Sequence, residues 1–503
     1  MSEPLTAGPG VPWQRLDPRM LLVYPLREVL RFLPVLLGLF IAGSASGRMD
    51  LRWQLLGITI PLLVGLLRYA TTSFRIHAGT VELRRGVVDR HRLSARVERV
   101  RTVELTASPL HRLLGLTTVR IGTGTASTRE EDSLDLDGLP VARARDLRES
   151  LLGAAVRSRG PEPEGEGDVP TVQAARVVLT FDPRWARFAP LTSAGVVLAA
   201  GVLGVGSQVL EGLGAFDDPE LGSVDDPGVL EAVEWLVVIP ATVVIGAVVV
   251  SALAVAAYLV THGGLRLSHS DADGAWHLRR GLLTTRETTL DDHRVTGVSV
   301  VEPLGLRLAG GARLAAIVTG LRRDESTSAM LVPPAPVAVV RRTAGAVVGD
   351  PAAATGPLRG HGPRARTRRW TRALVPVLVV AAALAAASVA AGRVWPALVG
   401  LALLPLAALL AEDRTRALGH ALTPTHLVSR SGSLLRRRQV LRTDAVIGWN
   451  QRATWFQRRA GLTTLVATTA GGSQAVVVLD VPEDEAVALA AAATPGLLEQ
   501  FLD

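Results

Sequence analysis

Apolar residues in this chain are gathered into long runs. A helix needs about 20 of them to cross a bilayer core. Six stretches fit that description or fall a little short, in three pairs: Phe32–Ser46 with Trp53–Tyr69, Ala189–Val209 with Trp235–Val260, and Ala373–Ala391 with Val394–Ala411. The last four hold no charged side chain. An arginine or aspartate at mid-bilayer costs about 2.5–3.5 kcal/mol on insertion scales, so that silence predicts spanning helices. After each pair the pattern changes. Phe74, Ile76, Val81 and Leu83 alternate with Arg75, His77, Glu82 and Arg84 around Ala78-Gly79, which is the period of a β-hairpin. Further strands are expected at Leu116–Ile121, Val295–Val301 and Ala475–Val481. Helices are expected at Leu139–Ala155, Val337–Val348 and Glu483–Ala493.

These polar stretches repeat. Leu83-Arg84-Arg85-Gly86 returns as Leu278-Arg279-Arg280-Gly281, and more weakly as Arg430-Ser431-Gly432. A second glycine follows each of these glycines at a separation of 29 residues: Gly115, Gly310 and Gly461. Arginine stands three positions before each, as Arg112, Arg307 and Arg458. Leu16-Asp17-Pro18-Arg19 reappears as Phe181-Asp182-Pro183-Arg184. A fixed spacing at the same place after each apolar pair argues for triplication. The glycines are read as turn or close-approach positions.

The predicted order is therefore an N-terminal segment (1–28), hairpin 1 (29–70), β module 1 (71–156), a Gly/Pro/Glu-rich linker (157–175) and hairpin 2 (176–260). A second, divergent module (261–349), a basic linker (350–372), hairpin 3 (373–411) and a third module (412–503) complete it. The fold class is a polytopic α-helical membrane protein with six spans in three hairpins. To these are added three β-rich split-barrel modules, each closed by a helix.

Composition sharpens the picture. The 503 residues include 54 Lys plus Arg against 46 Asp plus Glu, a net charge of +8, with a mean hydropathy of +0.30. There is no cysteine, which excludes disulfides, thiolate metal sites and a cysteine nucleophile. There is no lysine either, so Schiff-base chemistry and a P-loop are excluded. Arginine is scarce within the pairs and dense outside them, at Arg15, Arg19, Arg27 and Arg31 and again from Arg364 to Arg372. The loop from Glu211 to Glu234 is acidic. The positive-inside rule then places both termini and all three modules in the cytoplasm, on a multi-pass protein of the cell membrane. No cleavable signal peptide is expected.

The run Arg85-Gly86-Val87-Val88, then Ala95-Arg96-Val97-Glu98-Arg99-Val100, then Ser108-Pro109-Leu110-His111-Arg112-Leu113-Leu114-Gly115-Leu116-Thr117-Thr118-Val119 resembles the bacterial pleckstrin-homology-like (PH-like) domain of YdbS/YdbT-type membrane proteins. Trp455-Phe456-Gln457-Arg458-Arg459-Ala460-Gly461-Leu462-Thr463-Thr464-Leu465 is similar to it as well. Leu308-Ala309-Gly310-Gly311-Ala312-Arg313-Leu314 departs from the pattern. The resemblance implies a split barrel and a cytoplasmic-membrane address. It implies no catalytic residue and no established ligand.

Familiar chemistry is scarce. No His-Glu-x-x-His or Gly-x-Ser-x-Gly occurs, and Gly122-Thr123-Gly124 reads as a strand-end turn. His269 and His277, near Asp271 and Asp273, are read as part of a polar loop and not as metal ligands. No catalytic, metal or cofactor site is predicted. The candidate binding groups are arginines: Arg84, Arg85, Arg279, Arg280, Arg436, Arg437 and Arg438 in the modules, with Arg364, Arg366, Arg368 and Arg369 before a span. Guanidinium forks suit phosphate headgroups, so the expected partners are the bilayer, its anionic lipids and an unidentified protein. Nucleic acid is not expected, because the charges are interleaved and no aromatic platform accompanies them. The expected role is a non-catalytic scaffold or lipid- and protein-binding module in envelope maintenance or stress response. A transporter or export accessory and a lipid-modifying enzyme stand as alternatives.

Overall fold

A computed structural model describes residues 13–27, scattered positions between 59 and 71, and 72–148 apart from 78–79, 86–90, 97–101 and 123–133. It continues with 175–192, 229–319 except 273, and 329–496. The chain forms two compact units. One holds Met1–Val177 with Gly264–Asp292, and the other holds Val178–Gly263 with His293–Asp503.

The first unit opens with β1 (Gln14–Arg15) and helix α1 (20–27). Next come β2 (Ser73–His77), β3 (Thr80–Arg85) and β4 (His91–Arg96), paired antiparallel in the order β1-β2-β3-β4. The predicted hairpin is β2–β3, with Phe74 opposite Leu83 and Ile76 opposite Val81. β5 (Thr102–Ala107), helix α2 (Pro109–Leu113), β6 (Leu116–Gly122) and β7 (Leu134–Pro140) follow, then helix α3 (141–148). Leu16, Met20, Val23 and Tyr24 join Phe74, Val81, Leu83, Val103, Leu116, Val119, Leu136 and Leu147 in one core. The N-terminal segment, expected to stand apart, is thus built into this core because its apolar residues need the same shelter.

β8 (Arg176–Thr180) carries the boundary between units. β9 (Arg266–Ser270), β10 (Ala275–Arg280) and β11 (Thr285–Asp291) then return to the first unit. β11 pairs antiparallel with β5, so that β7-β6-β5-β11-β10-β9 run as one sheet. His269 and His277 lie on β9 and β10, not in the loop expected of them; the ring nitrogens of His269 contact the Asp271 and Asp292 carboxylates at 2.9 and 2.6 Å.

The second unit repeats this arrangement. A 3-10 helix (Pro183–Leu191) precedes α4 (Val229–His262). β12 (Val295–Pro303), α5 (Leu304–Leu308), β13 (Gly311–Val318), β14 (Met330–Pro336) and α6 (Val337–Val348) follow. Residues 350–372, expected to be a linker, instead form α7 (Pro351–Thr355) and the start of α8 (Gly362–Ala391). Alanines at 352–354 and the Asp350 cap make the first helix; the arginine-rich stretch is simply the polar end of the second. α9 (Trp395–Ala417) returns alongside α8, and Gly400 packs directly on Ala381. β15 (Gly419–Leu422), β16 (His426–Ser431) and β17 (Leu435–Arg442) come next. β17 pairs with β12, giving the sheet β14-β13-β12-β17-β16-β15. β18 (Gly448–Arg452), α10 (Trp455–Arg459), β19 (Leu462–Thr468), β20 (Ala475–Pro482) and α11 (Glu483–Ala493) end the unit. Leu427, Leu441, Leu465, Val476, Val478 and Leu489 form its last core.

The strands of the middle module are therefore shared out: β9–β11 extend the sheet of the copy before, and β12–β14 extend that of the copy after. The predicted domain 261–349 is not one compact unit. Among the described residues three helices are long and apolar enough to cross a membrane: Val244–His262, Gly362–Ala391 and Trp395–Ala417. Both expected spans of hairpin 1, apart from scattered helical positions, and nearly all of Ala189–Val209 lie outside the described residues.

Candidate functional site

The spaced glycines mark equivalent turns. Gly281 and Gly432 take φ of 101° and 105°, and Gly115, Gly310 and Gly461 take 69°, 74° and 63°. Such angles suit glycine, because a Cβ would crowd the backbone. Gly310 has the same conformation as its counterparts although the sequence around it departs from the pattern. Gly86 lies outside the described residues.

Each second glycine ends a short helix, α2, α5 or α10. α2 and α10 are capped by the Ser108 and Thr454 side chains, and Thr454 completes a capping box with Gln457. α5 follows Pro303. The arginine three residues before the glycine clamps a neighbouring turn. Arg112 donates to the Leu282 carbonyl at 2.7 Å, and Arg307 donates to that of Ser433 at 3.1 Å while pairing with Asp413. Arg458 is exposed.

The Asp-Pro-Arg repeats start helical segments. Asp17 and Asp182 each accept the backbone N–H two residues on, at 2.9 Å. Arg19 donates to the Leu114 carbonyl beside Gly115. A third copy, Gly362-Pro363-Arg364, opens α8, and the Arg364 guanidinium lies over Gly461. Sequence reading missed it because the aspartate is absent; the Pro-Arg pair at the head of an apolar helix was the available signal.

A buried carboxylate stands near the end of β7 and of β20. Asp137 accepts from Thr118 at 2.5 Å and contacts His111 Nε2 at 3.1 Å, with Arg27 3.6 Å away. The hydrogen bonds from His111 and Thr118 and the nearby positive charge outweigh burial and hold this carboxyl below the usual range. Asp480, 1% exposed, holds Arg368 at 2.7 Å and Arg369 at 2.5 Å and accepts from Gln457 Nε2 at 2.7 Å. Both aspartates thus fasten an arginine that precedes an apolar run.

The predicted binding arginines divide into two groups. Arg84 stacks on the Trp13 ring at 3.7 Å. Arg280 is buried, and desolvation lowers its pKa. Arg436 pairs with Asp413 at 2.8 Å. Arg438 donates to the carbonyls of Ala353 and Gly356, and burial pushes its pKa down to about 10. Together with Arg368 and Arg369, these six point their charge at the protein. Arg279, Arg364, Arg366 and Arg437 remain exposed, although Arg279 faces Glu287 at 3.5 Å and Arg366 faces Glu412 at 3.2 Å. The side chain of Arg85 lies outside the described residues. No cluster of metal-ligating side chains occurs among the described residues.

A feature that the sequence reading passed over is apolar. Leu113 ends α2 82% exposed, Leu308 ends α5 79% exposed, and Trp455 and Phe456 begin α10 at 57% and 69%. Each of these helices adjoins the segment that leads into an apolar run. α2 receives Arg19, α5 lies against the Leu191 carbonyl, and Thr454 at the cap of α10 is 3.4 Å from Arg368. Arg368 stands five residues before Ala373, about 7.5 Å along the helix. Exposed leucine and aromatic side chains beside a polar-to-apolar boundary are suited to a membrane interface.

Residues 29–155 and 374–493 match the family model of the bacterial PH domain, so the chain carries bacterial PH-domain sequence in these two stretches. No curated protein and no solved structure matches it.

Proposed function

We propose that this PH-domain protein is a non-catalytic scaffold of the cell membrane whose barrels rest on the cytoplasmic leaflet and recruit a protein partner there. The observation that carries the reading is the repeated short helix, with an exposed apolar tip, at the head of a membrane-entering segment. The apolar tips enter the interface, and the exposed arginines beside them, Arg364 and Arg458, meet anionic headgroups at about 1 kcal/mol each. The arginine distribution supports a cytoplasmic placement of the barrels and of both termini. The absence of a convergent catalytic set in the sequence supports a binding role.

Hydrogen exchange of the full chain in nanodiscs tests this reading. Residues 109–113, 304–308 and 455–459 should exchange more slowly with anionic than with zwitterionic lipid. Trp455→Glu with Phe456→Glu should abolish the difference at 455–459. Equal exchange in both lipids would remove the leaflet contact from the proposal. In-cell crosslinking, with and without these substitutions, would then identify the recruited protein.

A further inference from the structure

Two sheets in this chain are closed by the same device. β11 lies on the outer edge of β5, and β17 lies on the outer edge of β12. In each case the third strand of one repeat pairs antiparallel with the fourth strand of the repeat before. The registers agree when counted from the spaced glycines. Ala107, eight before Gly115, faces Thr285, four after Gly281. Glu302, eight before Gly310, faces Arg436, four after Gly432.

The series leaves one strand of each kind over. β18 stands in the place of β5 and β12, and it pairs only with β19 among the described residues. β4 stands in the place of β11 and β17, and among the described residues it pairs only with β3. β18 is a short edge strand with no proline; Arg452 is its only charged residue, and no second strand pairs with its outer edge among the described residues. Asn450, Gln451 and Arg452 are exposed along it. Arg458, the third member of the series whose other two clamp the incoming turn, is exposed at its end.

We propose that β18 of one chain receives β4 of a second copy of this chain, continuing between molecules the sheet pairing that already joins the repeats within one. The two internal registers fix the intermolecular one: Arg452 opposite His91, Gln451 opposite Arg92, Asn450 opposite Leu93 and Trp449 opposite Ser94. The contact is head-to-tail, so it builds a ring or an open row of chains. It takes the form of β-augmentation, in which main-chain hydrogen bonds supply the affinity. Confinement of both chains to one bilayer raises their effective concentration.

The absence of native cysteine makes the test direct. Full-length Gln451→Cys and Arg92→Cys chains carrying different tags are reconstituted together in lipid vesicles and mildly oxidised. Facing residues in a ladder have Cα atoms about 4.5–5.5 Å apart, within disulfide range. A disulfide-linked species bearing both tags is expected, at least fivefold above that from Gln451→Cys with Arg96→Cys. Asn450→Pro in the first chain should lower it severalfold, with the melting temperature of each chain monitored as a folding control. Four results would overturn the proposal. They are no mixed species, equal yields from both pairs, Gln451→Cys chains crosslinking only to each other, or an intrachain disulfide in the double variant.

Discussion

Asp480 is a buried carboxylate that serves two arginines at once. Its carboxylate is buried and holds Arg368, Arg369 and the Gln457 amide within 2.7 Å. Asp480→Asn keeps the shape and, at φ of 54°, keeps a residue that tolerates the left-handed region. The change therefore isolates the charge. Breaking a buried ion pair from one side costs about 3–5 kcal/mol, because the partners stay buried without a counter-charge. Arg368 and Arg369 are 13% and 14% exposed and can regain some water, which favours the lower end, about 3 kcal/mol. That corresponds to a fall of about 100–200-fold in the protection of β20 amides against hydrogen exchange, provided they exchange through local opening. Adding Arg369→Met should restore part of the loss, since one unpaired charge then disappears. Arg366→Ala is the internal control. That arginine is 62% exposed and its pair with Glu412 is open to solvent, so the variant should leave the protection of β20 unchanged. A loss below about 1 kcal/mol for Asp480→Asn, matching the control, would refute the argument that burial amplifies this cluster.

Two further outcomes are expected. Gly432→Ala places a Cβ 2.0 Å from the Leu435 carbonyl at φ of 105° and should cost more than about 2 kcal/mol, whereas Gly310→Ala meets no atom within 4 Å and should cost about 1–2 kcal/mol from its φ alone; thermal unfolding of the two variants checks the order. The histidine pair His361 and His420, 2.9 Å apart, is held neutral by burial, which lowers both pKa values and brings His420 to about 4. Below pH 6.5 the unfolded chain takes up protons that the folded one refuses, so stability should fall by about 2–3 kcal/mol as pH drops toward 4. His420→Gln should flatten that profile in denaturant titrations at stepped pH.

Local structure was legible because it depends on local pattern. Alternation at Phe74–Leu83 specified β2–β3, and Val337–Val348 and Glu483–Ala493 coincide with α6 and α11. The 29-residue spacing was legible because positive φ demands glycine at both turns. Which strands become neighbours was not legible. Period-2 alternation says which face is buried, but it does not say which edge accepts a partner, and three similar repeats supply three similar candidates for every edge. The arginines were misleading for a related reason. Arg280 and Arg438 sit in clusters that look solvated along the chain, yet the fold turns them toward carbonyls and carboxylates distant in sequence.

The pairing of β5 with β11 also bears on how the chain is made. Ala107 must wait for Thr285, 178 residues later, and two apolar stretches lie between them. At roughly 5–20 residues per second the ribosome needs about 10–35 s to supply that partner. Throughout that interval the β5 margin stands open. If the intervening apolar stretches enter lipid, as the proposed function has it, completion of the first unit waits on that insertion, and a delay at the translocon would appear as a nascent chain vulnerable to proteolysis along β5.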